Sequence, residues 1–251
     1  MYKGRWVNTA VGHHAMKLSK ETNEIMNIIE EALARGSATL SEYESKIFLA
    51  HHGIPVTREI TVASENDAVH AAIEIGYPVV LKGSGDQLSH KTELDLIELD
   101  VRNEQAVRNT FRRLTTHPTA VVKEVLVQQM IKGERELVIG LTRDPQFGPC
   151  VMFGLGGIFT EILGDISFRV APLSRRDAMD MMDEIRGRKI LSAVRGKPPV
   201  DLTALSDILM TVGEIGLAHN AIKEIDINPI KIEEDRPVAV DALIVLERQT
   251  A

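Results

Sequence analysis

Three short segments of this chain combine residue types and spacings that could do chemistry. The first is Lys82-Gly83-Ser84-Gly85-Asp86, which follows the apolar run Val79-Val80-Leu81. Its glycines permit backbone N–H groups to approach an anion, and Lys82 adds a cation at the strand end. It is neither a P-loop nor a dinucleotide fingerprint, so spacing alone leaves a tight turn and a phosphate site equally open. His90 comes next, between Ser89 and Lys91, with Glu93 three residues on. An imidazole can take a phosphoryl group on nitrogen, and a nearby carboxylate can orient it; a surface histidine in a polar loop has the same spacing. The third segment is Glu224-Ile225-Asp226-Ile227-Asn228-Pro229, with Asp241 beyond a turn. On a strand, alternation sets Glu224, Asp226 and Asn228 on one face and Ile225 and Ile227 on the other. Asn228 and Asp241 offer hard oxygen ligands for Mg2+, whose shell is completed by phosphates and water. A solvated edge strand is the alternative.

A fourth segment, Gly154-Leu155-Gly156-Gly157, leads to Glu161, Asp165 and Arg169. It reads as an active-site loop or as a glycine-rich turn before a helix. Met179, Met181 and Met182 read as helix packing.

The elements that must position these residues follow from periodicity. Apolar residues at helical spacing from Ser19 to Ala34 stop at Gly36, and a capping box of Ser41 with Glu44 opens a helix that Gly53 ends. Ile54 to Val62 reads as a strand interrupted by Pro55, followed by a helix capped by Ser64 that runs to Ile75. Strands are predicted at Val79–Leu81, Leu94–Val101, Val125–Met130, Glu136–Thr142, Cys150–Leu155, Ala221–Ile227 and Val238–Val245. Helices are predicted over Asn103–Leu114, Ser174–Arg186 and Leu202–Ala218. Paired strands joined by short turns point to antiparallel sheets, hence α+β rather than a doubly wound fold. A lobe break is expected near Gln128-Gln129-Met130.

Composition narrows the function classes. The 251 residues carry a net charge of -7 with 4% aromatics, which argues against a nucleic-acid face. No apolar run is long enough to span a bilayer. Cys150 is the single cysteine, so no internal disulfide forms and a reducing, cytoplasmic setting is expected. Lys3, Arg5, Lys17 and Lys20 mark a basic tail without an apolar signal region, and His13-His14 belongs to that tail rather than to a metal site.

Taken in order, several segments resemble the ATP-grasp subunit of ADP-forming acyl-CoA synthetases, relatives of succinyl-CoA synthetase β subunits. They are Leu40-Ser41-Glu42-Tyr43-Glu44-Ser45-Lys46 with Gly53-Ile54-Pro55, Gly76-Tyr77-Pro78-Val79-Val80-Leu81-Lys82, and Ser89-His90-Lys91-Thr92-Glu93. Arg143-Asp144-Pro145-Gln146-Phe147-Gly148-Pro149, Gly154-Leu155-Gly156-Gly157 and Glu224-Ile225-Asp226-Ile227-Asn228-Pro229 continue the set. The resemblance implies a two-lobed ATP-grasp fold over 39–250 after an N-terminal tail and helix at 1–38. The small lobe would span about 54–128, and the large lobe about 39–53 plus 129–250.

It also implies roles. Lys82, with Gly83 and Ser84, would contact the phosphates of ATP or ADP; Gln128, Gln129 and Met130 would line the adenine hinge, and Glu136 would approach the ribose. Asn228 and Asp241 would hold Mg2+. A CoA-binding α subunit, in an α2β2 assembly, would carry the first phosphohistidine. His90 would relay the phosphoryl group to ADP, with Asp226 steadying it. The rivals are an ATP-grasp ligase acting alone and a non-catalytic nucleotide-sensing subunit.

Overall fold

The computed structural model describes residues 28–84, 95–157, 164–194 and 196–247. Helix α1 covers 28–34, followed by α2 (Glu42–His51), α3 (Glu65–Ile75), α4 (Glu104–Thr115), α5 (Arg175–Glu184) and α6 (Leu202–Ala218). The strands are β1 (Glu59–Val62), β2 (Val79–Ser84), β3 (Ile97–Val101), β4 (Glu124–Gln129), β5 (Glu136–Asp144), β6 (Gly148–Leu155), β7 (Ile166–Val170), β8 (Ile222–Glu233), β9 (Arg236–Ala239) and β10 (Leu243–Leu246).

Local chemistry starts and stops the helices. In α2 the Ser41 Oγ accepts from Glu44 N at 3.2 Å while Ser41 N donates to Glu44 Oε2 at 2.9 Å, the reciprocal cap the sequence predicts. Such a cap stabilises a helix by about 1 kcal/mol. Gly53, at φ 84°, takes the left-handed turn that follows α2, a conformation that strains any side chain bearing a Cβ. Ser64 and Asn103 cap α3 and α4 in one direction only, their side chains accepting from Asp67 N and Ala106 N.

Every ladder between named strands is antiparallel, in two sheets. The first has the order β1-β4-β2-β3; the second runs β10-β8-β5-β6-β7, with β9 also paired to β8. Each sheet has its own core. Val79, Leu81, Val125 and Val127 pack on Ala68 and Ala72 of α3 and Val107, Phe111 and Leu114 of α4. Ile139, Leu141, Val151, Phe153, Ile225 and Ile227 pack against Phe48 and Leu49 of α2, Met181 and Met182 of α5, and Leu205, Leu209 and Val212 of α6.

The chain passes between the sheets earlier than the single strand predicted over Ile54–Val62. Val56 bridges Ala239 of the second sheet, and Thr57 N donates to the Ala239 carbonyl at 3.1 Å, whereas β1 starts at Glu59 in the first sheet. Strand β7 was not anticipated, because its alternation is inverted. Ser167 is buried, while Ile166, Phe168 and Val170 are exposed.

Strand β8 is the longest, at 12 residues, and runs on through the cis Asn228–Pro229 bond. Leu137 and Ile139 of β5 pair with Ile230 and Ile227, so β8 carries one extra residue at Asn228–Pro229. This bulge changes which positions point inward: Ile225 and Ile227 before it, Ile230 and Ile232 after it.

Candidate functional site at the lobe junction

Because β2 and β4 are buried on both faces, their alternation is hidden in near-continuous apolar runs. Val79 and Leu81 face the helices, and Lys82 and Gln128 face the other lobe. Lys82 is 4% exposed, so its ammonium must be paired to remain charged. Its Nζ donates to Glu42 Oε1 of α2 at 2.6 Å and to Asp241 Oδ2 at 3.2 Å. Burial pulls the Lys82 pKa down, but Asp241 and Glu42 outweigh it and raise the pKa above the usual lysine value.

Across the junction, β8 presents the carboxylate face that alternation predicted. Asp226 and Asn228 are half-buried and Glu224 is exposed, while Ile225 and Ile227 are in the core. Asn228 N donates to the Asp241 carbonyl at 3.2 Å, which joins the two candidate metal ligands through the backbone. Burial, then Glu224 and Asp241, push the Asp226 carboxyl up from 3.8 to about 6. A buried carboxyl raised by neighbouring carboxylates suits a cation. Among the described residues no three His, Cys, Asp or Glu side chains converge as a metal site. One aspartate with one asparagine fits Mg2+, which takes few protein ligands.

Gly83 and Gln128, both expected at the nucleotide, have hydrogen-bond partners within the chain. Lys82, Gly83 and Ser84 belong to β2 rather than to a loop. The Gly83 N–H is spent on the Leu96 carbonyl at 2.8 Å, and a Cβ there would meet Val122 at 3.1 Å. The Gly83 N–H therefore holds the β2–β3 hairpin and is not free to cradle an anion. The Gln128 side chain is 0% exposed, and its Nε2 donates to the Val240 carbonyl at 3.0 Å. It ties the lobes together, which leaves half-buried Gln129 and Met130 as the accessible part of the expected hinge. Ser84 contributes its carbonyl to Lys123 N at 2.9 Å. Glu136, at the start of β5, pairs with Lys231 at 3.0 Å, and its carbonyl accepts Gly156 N at 2.8 Å.

His90 lies outside the described residues, as do Gly85, Ser89, Lys91, Glu93 and Glu161. On either side of the 85–94 segment the chain belongs to one ladder, in which Lys82, the residue that meets Asp241, pairs with Ile97.

Sequence reasoning missed the charges behind Lys82. Lys46, 1% exposed, meets Glu42 Oε1 at 3.1 Å, pairs with Glu59 of β1, and donates to Thr57 Oγ1 at 3.3 Å and to the Val240 carbonyl at 3.1 Å. Burial lifts the Glu59 carboxyl from 4.5 to about 7, against the opposing pull of Lys46. The available signal was Glu42 and Lys46, four residues apart on the helical stripe that also carries Leu49. Asp165, which follows the segment that reads either as an active-site loop or as a glycine-rich turn, is a buried anchor. Its two oxygens accept the backbone N–H groups of Arg186 and Gly187, each at 2.7 Å.

Comparisons with known proteins agree with this geometry. Residues 31–246 match the family model of the ATP-grasp domain. The β subunit of acetate–CoA ligase (ADP-forming) I from Pyrococcus furiosus is 45% identical over 224 residues, covering 87% of this chain and 96% of that one. Among solved structures, the dinucleotide-forming acetyl-coenzyme A synthetase 1 of Ca. Korarchaeum cryptofilum, in complex with coenzyme A and Ca-AMPCP, superposes with a TM-score of 0.85 at 42% identity. That match covers 88% of this chain and 99% of the other. The same synthetase with coenzyme A and Mg-AMPPCP, its phosphohistidine segment pointing towards the nucleotide binding site, gives 0.80 at 40% identity, covering 89% and 100%. A two-sheet fold joined at Lys82 and Asp241, with similarity along nearly the whole length of these relatives, places the chain in the ATP-grasp family, among the β subunits of ADP-forming acetate–CoA ligases.

Proposed function

We propose that this chain passes a phosphoryl group between a phosphohistidine on a CoA-binding α subunit and ADP, using His90 as relay. The overall reaction is acyl-CoA + ADP + phosphate in equilibrium with acid + CoA + ATP. The observation that carries the reading is the meeting of Lys82 with Asp241 at the lobe junction, beside Asn228 and the raised Asp226. A buried cation and an oxygen-ligand pair in contact are what a nucleoside diphosphate with Mg2+ requires.

In the first transfer the N–P bond of the partner's phosphohistidine breaks as a new N–P bond forms on the His90 imidazole. In the second, a terminal oxygen of the ADP β-phosphate attacks that phosphorus, and the His90 nitrogen leaves with its electron pair. Asp226 accepts the imidazole N–H and keeps the ring oriented. Lys82 offsets charge on the phosphates, and Mg2+ held by Asn228 and Asp241 would neutralise the charge that develops on their oxygens. His90 is six residue steps from Ser84, a reach of at most about 20 Å. Gln129 and Met130 line the base, and Glu136 stands at the ribose.

The assembly is α2β2, with the acyl substrate chosen by the α subunit. A cytoplasmic setting is supported by the lone free Cys150. No helix among the described residues is long and apolar enough to cross a membrane. The test is co-expression with a CoA-binding α subunit, followed by mass-spectrometric search for phosphohistidine during turnover. His90→Asn should bind ADP yet lose steady-state ATP formation; normal turnover in that variant would remove the relay.

A further inference from the structure

Lys82 has two carboxylate partners that differ in kind. Glu42 is buried at the start of α2, and its Oε1 receives both Lys82 Nζ at 2.6 Å and Lys46 Nζ at 3.1 Å. Asp241 is 37% exposed at its side chain, sits farther from Lys82 at 3.2 Å, and is joined to Asn228 through the backbone. Lys46 does not depend on Glu42 alone, since Glu59, Thr57 and the Val240 carbonyl also hold it. The shorter contact of Glu42 is the one to Lys82.

We infer that Glu42 is a positioning residue: it is the permanent counter-ion of Lys82, and Asp241 is an exchangeable one. This rests on the reading of Lys82 as the phosphate contact and Asp241 as a metal ligand. In the structure the two functional groups neutralise each other. A divalent cation at Asp241 draws that carboxylate off Lys82, and a phosphate at Lys82 frees Asp241 for the cation. Each ligand therefore assists the other, and the coupling is reciprocal.

Glu42 limits how strong that dependence is. When the cation takes Asp241, the buried ammonium still has a partner. Without the Glu42 charge, cation binding by itself would strand a buried Lys82, which is strongly unfavourable. Only joint arrival of cation and nucleotide would leave every charge paired. Removing Glu42 should thus make the two ligands more dependent on each other.

The experiment is calorimetric titration of ADP into the full chain, with saturating Mg2+ and with EDTA, for the wild type, Glu42→Gln and Glu42→Asp. The readout is the ratio of ADP affinities in the two conditions; the intrinsic association of Mg2+ with ADP is common to all proteins and cancels on comparison. Glu42→Gln should raise the ratio about tenfold over wild type, with Glu42→Asp intermediate. A role confined to holding the fold would weaken both affinities alike and leave the ratio unchanged. If Glu42→Gln fails to fold, Glu42→Asp decides: a wild-type ratio there overturns the inference. Wild-type binding of ADP with an unchanged ratio in the variants overturns the inference alone. No ADP binding by wild type in either condition overturns the phosphate-site reading and the inference with it.

Discussion

The two sheets present opposite environments to one site. The β1-β4-β2-β3 sheet is covered on one face by α3 and α4 and on the other by the second lobe, so Lys82, Gln128 and Glu59 are polar groups shut away from water. The β10-β8-β5-β6-β7 sheet packs its helices on one face only. Its other face carries half-buried Asp226 and Asn228 and, on edge strand β7, Phe168 at 48% exposure beside Ile166 and Val170. Buried ions must be paired within the protein, which makes their geometry rigid and their removal expensive. Half-exposed carboxyls can change partner or protonation state at small cost. The junction thus sets a fixed cation against an adaptable acidic face.

Breaking the closed side should have the largest effect. Lys82→Met leaves Glu42 and Asp241 without their shared cation, and the expected loss is about 3–5 kcal/mol of folding stability together with loss of ADP binding. Urea unfolding and calorimetric titration read the two; near-normal values in both would show that the junction is not closed.

On the open side, Asp226→Asn should separate stability from activity. The Asp226 carboxyl titrates at about 6 in the folded chain against 3.8 when unexposed to its neighbours, so the folded state keeps a proton that the unfolded chain has lost. Its favourable contribution is complete below the unfolded pKa and disappears as pH rises through the folded one. Glu59 acts in the same direction between 4.5 and about 7. Asp226→Asn should therefore be more stable than wild type at pH 8 by about 1–2 kcal/mol, with little difference at pH 4. Turnover with the α subunit should fall about 10²-fold or more. Thermal melts across pH check the first statement, and equal pH profiles for the two proteins would refute it.

The smallest effect belongs to the edge of the open face. Phe168→Ser should alter the stability of the chain by less than about 0.5 kcal/mol, as for exposed positions in general. A larger loss in urea unfolding would show that this face is covered.

Much of the fold was legible because local rules are strong where one face is wet. The Ser41–Glu44 cap, the helix stop at Gly53 and the alternation through Glu224, Asp226 and Asn228 all emerged as read. Signals failed where burial is two-sided or inverted. β2 looked like a strand ending in a loop because Lys82 and Gly83 break an apolar run, although the strand continues to Ser84. β7 escaped because its apolar residues face outward.

By itself the amino-acid order determined the element types, the antiparallel class and the residue chemistry available, since these depend on neighbours within a few positions. Tertiary structure decided which charges meet. Glu42 and Lys82 are 40 positions apart, and Lys82 and Asp241 are 159 apart, yet each pair is in hydrogen-bond contact. No local pattern encodes such a contact. It exists because the inner face of the first sheet closes on α2 and on the Val240–Asp241 segment, and a buried ammonium then requires whatever carboxylates the closure brings to it.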